Sequence, residues 1–192
     1  MSGELLDRLR RALAEPTPAA PPPPGKREAA VLLLIDPAED GLPVLFLRRA
    51  DHLRLHAGQI GLPGGSREVS DQDAVATALR EAAEEVGLDP ADVEVLGALP
   101  PRLTHRSDLW LTPIVALLRQ PFAVRGDGFE VAEWFWLPLR DLLASRHRVE
   151  ELQTEAGGAH PVHYFDVEGR TVWGVTGAIV HDLLERLRRP SG

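Results

Sequence analysis

A short acidic segment that closes a predicted helix constrains this chain more than any other stretch of its sequence. Residues 80–88 read REAAEEVGL. Helix positions i, i+3 and i+4 share one surface, so Glu81, Glu84 and Glu85 lie together. Three like charges in the last turns are unfavourable, because the helix dipole favours cations there by about 0.3–1 kcal/mol each. The pattern therefore predicts a group that compensates the carboxylates.

Two interpretations of this acidic surface follow from the residues. In the first, it is a solvated face on which Arg80 bridges to Glu84. In the second, the carboxylates bind Mg²⁺ or Mn²⁺, because these hard cations prefer carboxylate oxygens. The preceding segment 62–65 reads LPGG, and two glycines after a proline let the backbone bend sharply and approach a ligand closely. This neighbouring segment favours metal binding.

The composition bounds the class of protein. The chain has 192 residues, of which 44% are apolar and 26% charged, as in one globular domain. It has no cysteine and no apolar run of the roughly 18–20 residues that span a bilayer. We therefore expect no disulfide, no membrane segment and a reducing, cytoplasmic location. The net charge of −8 argues against nucleic-acid binding and is compatible with an anionic small molecule that metal and local arginines receive.

Hydrophobic periodicity predicts an α/β chain. The predicted elements are strands at 29–35, 44–47, 93–99, 110–118 and 130–137, a hairpin at 163–166 and 171–175, and helices at 3–13, 139–145 and 177–187 beside the acidic helix. Mixed strands with two substantial helices indicate a three-layer α/β/α sandwich with a mixed sheet. Residues 15–26 are rich in proline and alanine and predict an extended linker. We expect residues 1–26 to form a helix with its linker and 27–192 the functional domain.

The acidic helix has predicted limits and a predicted buried face. Ser70 and Asp73 have the spacing of a capping box, which places the start at Ser70 or Asp71. Gly87 is predicted to end the helix in the left-handed conformation. The apolar positions that form the buried face are Val75, Ala78, Leu79, Ala82 and Val86. The carboxylates therefore point away from the core and toward the glycine segment.

These residues resemble the Nudix box, which reads Gly, five residues, Glu, seven residues, then Arg-Glu-apolar-x-Glu-Glu-x-Gly-apolar. Residues 80–88 match the second half at every specified position. In the first half, five residues lead from Gly65 to Asp71, where the pattern has Glu, and eight separate Asp71 from Arg80. Strict counting places Ser66 and Gln72 in the Gly and Glu positions.

The one-residue insertion resembles the coenzyme A pyrophosphatase branch of the Nudix superfamily. That branch carries an upstream signature of Arg, three residues, Gly, three residues, then Phe-Pro-Gly-Gly. Arg54, Gly58 and the segment 62–65 keep this spacing, with Leu62 in the Phe position. Arg49 also fits an Arg position of the signature. The resemblance extends over residues 29–187.

The resemblance implies hydrolysis of a diphosphate linked to a nucleoside, and the branch implies cleavage of coenzyme A to 3′,5′-ADP and 4′-phosphopantetheine. The implied cofactor is Mg²⁺ or Mn²⁺, with Glu81 and Glu85 as first metal ligands. Glu84 completes the site, and the family adds a backbone carbonyl of the glycine loop, here that of Gly65. Water is the implied nucleophile, with Glu84 as the proton acceptor and Glu130 as the alternative.

Arginines are the expected receptors for the phosphates, because guanidinium groups bind phosphate oxygens in pairs. Arg54 and Arg49 match the signature, whereas Arg67 and Arg48 are equally compatible with solvated surface positions. The glycines Gly64 and Gly65 would lie against the substrate. Arg80 is expected to pair with the carboxylates and orient them.

Histidine and tryptophan pairs admit other interpretations. His52 and His56 are four residues apart and offer a possible zinc pair, but no Glu lies between them in the metalloprotease pattern, which favours a surface or substrate-facing role. Trp134 and Trp136 share one strand face, and we expect them to pack in the core and not to stack on a base.

Three other functions are compatible with the sequence. The chain could hydrolyse a different diphosphate such as ADP-ribose or a dinucleotide. It could be a non-catalytic Nudix sensor, although the intact set of Glu81, Glu84 and Glu85 argues against this, because a sensor can lose its metal ligands without harm. It could also be a scaffold with an acidic helix, which the glycine segment disfavours. The oligomeric state is not predicted.

Overall fold

The computed structural model describes residues 2–17, 20–52, 57–104, 108–126, 130–153 and 159–189. The helices are α1 (Ser2–Ala14), α2 (Ala74–Val86), α3 (Leu139–Ala144) and α4 (Gly174–Arg188), with a 3-10 turn at Pro90–Asp92. The strands are β1 (Arg27–Ile35), β2 (Pro43–Arg49), β3 (Ile60–Gly61), β4 (Gly64–Ser66), β5 (Val93–Ala98), β6 (Arg102–Leu103), β7 (Leu109–Leu118), β8 (Val131–Pro138), β9 (Arg146–Gln153), β10 (Ala159–Val167) and β11 (Arg170–Trp173). No helix in these ranges combines the length and apolar character needed to cross a membrane.

Strand β1 is the centre of a mixed sheet. One edge of β1 runs parallel to β7 along its whole length, and β7 continues to β5 in antiparallel pairing. The other edge forks. Residues Ala29–Val31 pair with β4, whereas β2 meets β1 at Ile35 and Val44 before continuing to β8 and β3. The fork places Gly64 and Gly65 of the glycine segment inside the sheet, where α2 packs on β4.

Both faces of the sheet are covered, because the continuous apolar run of β1 alternates between two cores. The side chains that enter the core beneath α2 are Ala30, Leu32 and Leu34. Those that enter the core shared with α1 and α4 are Ala29, Leu33 and Ile35. The predicted three-layer α/β/α sandwich with a mixed sheet is therefore confirmed.

A second sheet of three antiparallel strands, in the order β11-β10-β9, packs against α4. The hairpin β10–β11, with its turn at Glu168 and Gly169, was predicted from the sequence and is confirmed. Strand β9 was not predicted. Its residues RHRVEELQ are mostly polar and mostly exposed, so the strand lacks an apolar alternation and depends on its ladder with β10.

Helix α2 begins later than the sequence predicted. Asp73 is its N-cap, and the Asp73 carboxylate accepts a hydrogen bond from the N–H of Ala76 at 2.8 Å. The expected start at Ser70 or Asp71 is wrong, because the buried Asp71 carboxylate accepts hydrogen bonds from the N–H of Glu68 at 2.8 Å and from the side chains of Thr77 and Arg80. The predicted end is confirmed, since Gly87 has φ +72° and donates to the carbonyl of Ala83 at 3.1 Å.

The predicted N-terminal helix is confirmed by α1. Its residues Leu9 and Leu13 are buried in the core that α1 shares with α4. The linker that follows contacts the main body at Thr17, which accepts a hydrogen bond from Arg186 at 2.6 Å. The carbonyl of Ala20 accepts another from the Trp110 indole at 3.0 Å. The division between residues 1–26 and 27–192 stays a prediction.

Candidate active site

The row of glutamates on α2 faces the glycine segment. Helix α2 packs on β1 and β4, so the last turns of the helix meet the backbone of Gly64 and Gly65. The N–H of Gly64 donates a hydrogen bond to Glu85 Oε2 at 2.9 Å. Because this bond joins a residue in the sheet to the helix end, it holds one carboxylate at a defined position.

Both glycines occupy positions that a side chain would obstruct. At Gly65, a Cβ would lie 2.5 Å from the carboxylate oxygens of Glu81, so the Glu81 carboxylate rests directly against this backbone. At Gly64, φ is +153° and a Cβ would lie 2.3 Å from the carbonyl oxygen of Ala30. The first clash is with a flexible side-chain end, whereas the second is with the central strand.

Arg80 connects several parts of the site through hydrogen bonds. Its Nε and one terminal nitrogen donate to the two oxygens of Asp71, each at 3.1 Å. It also donates to the carbonyl of Ser66 at 3.0 Å, to Glu81 at 3.1 Å and to Glu84 at 3.3 Å. One guanidinium therefore links α2, the end of β4 and the loop before the helix, and fixes two of the three glutamates.

The carboxylates are in an unfavourable electrostatic environment. Burial raises the pKa of Glu85 to about 7, with the charge of Glu81 adding to the effect and the Gly64 N–H opposing it. Burial also raises the pKa of Glu81, and the nearby Arg80 only partly counteracts this. The third side chain, Glu84, is 60% exposed. A partly buried set of crowded hard oxygen donors is the environment that a divalent cation stabilises.

Arg49 and Glu130 lie beside Glu85. Their ion pair is loose, with Arg49 NH2 3.6 Å from Glu130 Oε2, and both charges act on the pKa of Glu85, Arg49 lowering it and Glu130 raising it. The N–H of Ala50 donates to the Glu130 carbonyl at 2.9 Å and fixes this residue near the end of β2. Arg49 Nε is buried and finds no hydrogen-bond partner within the described ranges.

The other predicted arginines are placed differently. Arg67 donates to Glu28 at 2.6 Å and to the carbonyls of Asp71 and Gln72, both at 3.1 Å, so its guanidinium is engaged in holding the loop before α2. Arg48 pairs with Asp51 at 2.9 Å. Arg54, predicted to bind substrate, and His56, the second member of the possible zinc pair, lie outside the described residues.

The expectation that both tryptophans pack in the core is wrong for Trp134, which is 40% exposed. One edge of its ring lies against Gly126, where a Cβ would come within 2.8 Å. Trp136, two residues further along β8, is partly buried against the core beneath α2. The two side chains share a strand face, but only Trp136 packs against the core beneath α2.

Two features of the structure were not predicted from the sequence. Asp71 was considered as a possible helix start and as a displaced Nudix-box residue, but not as the partner of Arg80, which follows it by nine residues. The second feature is a cavity of about 450 Å³, whose walls include Ile60, Arg102, Thr104, His163, Trp173 and Thr176. No sequence pattern indicates this cavity, because its walls come from separate strands and from the start of α4.

Comparisons with known proteins agree with this geometry. The family model described as NUDIX domain matches residues 25–157. The chain is 41% identical over 145 residues to NudL of Yersinia pestis, an uncharacterised Nudix hydrolase, and the match covers 75% of this chain and 72% of NudL. NudL of Yersinia pseudotuberculosis matches with the same identity and coverage.

Solved structures show the same fold. A Nudix hydrolase from Alicyclobacillus acidocaldarius superposes with a TM-score of 0.55 at 20% identity, covering 83% of this chain and 91% of that one. The MutT protein from Methanosarcina mazei Go1 superposes with a TM-score of 0.54 at 19% identity, covering 88% and 96%. At these identities the likeness concerns the fold alone.

Proposed function

This chain belongs to the Nudix family of hydrolases, and from that premise we propose that it cleaves the diphosphate of coenzyme A or its derivatives. The products would be 3′,5′-ADP and 4′-phosphopantetheine. The observation that carries the proposal is the contact between the α2 glutamates and the glycine segment, with Arg49, which fits an Arg position of the upstream signature, beside Glu85.

The donor set fits the divalent metal that Nudix enzymes typically use. Glu81 and Glu85 would hold Mg²⁺ or Mn²⁺, with Glu84 and the Gly65 carbonyl completing the set. Such a cation, when bound, neutralises diphosphate oxygens and acidifies a water molecule. The fit rests on the raised pKa of Glu81 and Glu85 and on the absence of a side chain at Gly65.

Glu84 is our proposed proton acceptor for the attacking water. Its side chain is 60% exposed, so its carboxylate is accessible to water. Arg80 approaches its carboxylate at 3.3 Å and orients it without enclosing it. Glu130 is the second candidate, because its charge also acts on Glu85.

Arg49 is our proposed receptor for a phosphate. Its Nε is buried without a partner in the described residues, and its ion pair with Glu130 is long at 3.6 Å. A phosphate oxygen would offer a stronger, charge-assisted partner. Arg54 is a second proposed phosphate receptor, and this proposal rests on the signature alone. Arg67 ranks last, because it already donates to Glu28 and two carbonyls.

Turnover of a substrate panel tests the proposal. Coenzyme A, ADP-ribose and a dinucleoside polyphosphate would be supplied at equal concentration with Mg²⁺ or Mn²⁺, and the products identified by mass spectrometry. We expect coenzyme A to give the highest kcat/KM and to release 3′,5′-ADP. A strong preference for ADP-ribose would overturn the coenzyme A assignment and leave the Nudix mechanism in place. If wild type turned over none of the substrates, the result would instead favour a non-catalytic sensor.

A further inference from the structure

Three histidines from three separate elements meet on the side of the molecule that α4 covers. They are His147 of β9, His163 of β10 and His181 of α4, and one ring nitrogen from each lies within 4.8 Å of the others. None of them lies on α2 or β4, which carry the proposed hydrolase site. Two of the three follow residue 157, where the family match ends.

The rings of His147 and His163 contact each other edge to edge through a nitrogen of each ring. His147 Nε2 lies 2.9 Å from His163 Nδ1, and the ring planes differ by 10° with centroids 5.2 Å apart. The two centroids are farther apart than the two nitrogens by about two ring radii. The nitrogens therefore lie between the centroids on nearly one line, and the rings are almost coplanar. Because two bare lone pairs would repel each other, one nitrogen carries a proton and donates it to the other.

The third ring leaves a buried polar atom unsatisfied. His181 stacks on His163 with centroids 3.9 Å apart. Its Nδ1 is buried and has no hydrogen-bond partner among the residues that the structure describes. A buried polar group without a hydrogen-bond partner destabilises the folded state, so packing alone does not explain why this ring is a histidine.

Two of the imidazoles, those of His147 and His163, favour the neutral form that binds metals. Burial, followed by the neighbouring His181 and His147, lowers the pKa of His163 to about 4. Burial also lowers the pKa of His147. The charged groups that act on the cluster are Arg102, Asp182, Glu185 and Arg188. Two of them are carboxylates on α4, the type of neighbour that orients ligating imidazoles in metal sites.

From this geometry we propose that His147, His163 and His181 form a binding site for one transition-metal ion of the zinc class. Imidazole nitrogen suits zinc, cobalt and nickel, whereas magnesium prefers oxygen. The ion replaces the proton shared by the first two rings. Zinc–nitrogen bonds of about 2.0–2.1 Å in a tetrahedron place nitrogens roughly 3.3 Å apart, so the 2.9 Å pair opens only slightly.

The remaining adjustment is at His181, whose ring turns so that the unsatisfied nitrogen faces the ion. The fourth position takes water or Glu185, which follows His181 by four residues and therefore lies on the same helix face. His163 also lines the cavity of about 450 Å³, which provides a route for the ion. A bound ion would join β9, β10 and α4 and stabilise the packing of the second sheet.

Calorimetric titration with zinc tests the site. Excess Mg²⁺ is present throughout to occupy the carboxylates of α2. Wild type is expected to bind one zinc ion per chain. His163→Gln and His181→Gln should each weaken binding by at least the roughly 10–100-fold that loss of a supporting partner costs in metal sites. His160→Gln, the matched control on the same strand, should leave the affinity unchanged.

Zinc affinity that is the same in wild type and both cluster variants would overturn the site, as would zinc binding that Glu85→Gln abolishes. A second measurement on wild type avoids any folding defect of the variants. In ¹⁵N-histidine NMR spectra, zinc should shift the ring signals of the three cluster histidines and leave that of His160 in place. Unmoved cluster signals would contradict the proposal. Neither readout depends on hydrolase activity.

Discussion

At the scale of single residues, Glu85 has the least favourable environment in the candidate active site. Burial raises the pKa of this carboxyl from 4.5 to about 7. Between these values the folded chain keeps a proton that the unfolded chain has released. Stability therefore falls as the pH rises through this window, and a divalent cation bound at the site would oppose that loss.

Replacement of Glu85 by Gln tests this environment. Gln keeps an oxygen that can accept from Gly64 but has no charge, so in EDTA at pH 8 the variant should be more stable than wild type by about 1–3 kcal/mol. The gain should shrink toward pH 4.5, and hydrolysis should be lost. Urea denaturation at both pH values measures the first effect, and product release measures the second. An equally stable, active variant would contradict the metal-ligand role.

Glu84→Gln is the matched comparison for Glu85→Gln. Because Glu84 is exposed, its replacement should change the free energy of unfolding by no more than about 0.5 kcal/mol. As the proposed proton acceptor, it should nevertheless lower kcat by about 10²–10⁴-fold. Steady-state kinetics beside Glu130→Gln decides between the two candidates, and a larger loss for Glu130→Gln would transfer the role to that residue.

The two glycines should respond differently to the same methyl group. Gly65→Ala displaces the flexible end of Glu81, so we expect a folded protein with little change in Tm and a severe loss of activity. Gly64→Ala meets the carbonyl of Ala30 and is strained at φ +153°, so we expect global destabilisation. Thermal denaturation and kinetics of both variants check the contrast. An active Gly65→Ala enzyme would mean that the Glu81 position is not critical.

At the scale of elements, the start of α2 depends on two aspartates with separate duties. Asp73 caps the helix, whereas Asp71 binds Arg80 from a buried position. Hydrogen bonds from Arg80, the Glu68 N–H and Thr77 lower the pKa of Asp71 from 3.8 to about 2. The folded chain therefore favours the charged form of Asp71, and its contribution to stability is complete above pH 3.8 and disappears as the pH falls through 2.

Asp71→Asn should lower the Tm by several degrees at pH 7, because Arg80 loses its main charged partner. The difference from wild type should become small near pH 2, where about half of the wild-type Asp71 carboxyl groups are protonated. Asp73→Asn is the control, since Asn caps helices about as well as Asp, and it should leave the Tm almost unchanged. Melting curves at pH 7, 4 and 2 test the assignment. Equal losses for both variants would refute it.

At the scale of the whole molecule, α1 is part of the packing although it precedes the proposed functional domain. Leu9 and Leu13 are 0% and 3% exposed. Full burial of a leucine contributes about 1.5–3 kcal/mol, and the area estimate is an upper one. The helix therefore closes the core that it shares with α4, while the sites proposed above lie on other elements.

Deletion of residues 1–26 should lower the free energy of unfolding by as much as ~3–6 kcal/mol and leave KM unchanged in the folded fraction. Leu9→Ala should account for about 2–5 kcal/mol of this alone. Arg10→Ala, which removes only an exposed pair with Glu94, should cost at most about 1 kcal/mol. Urea denaturation measures all three proteins. A truncated chain as stable as wild type would show that α1 packs without stabilising the core.

The parts of this molecule that were predictable are those whose causes are local. The glutamate row depends only on helix periodicity, and Gly87 ends α2 because the left-handed conformation there favours glycine. The strands β1 and β7 were recognisable as continuous apolar runs because both of their faces are buried. Strand β9 was not recognisable, since its polar residues carry no such pattern.

The sequence by itself determined which chemical groups are present and how they repeat along each element, and this was enough for the layers of the fold and the acidic face of α2. Only the tertiary structure decided which groups meet. The Gly64–Glu85 hydrogen bond and the three-histidine cluster each join segments that are distant along the chain. Such contacts depend on how sheets fork and helices dock, and those arrangements are set by packing over the whole molecule, not by any local run of residues.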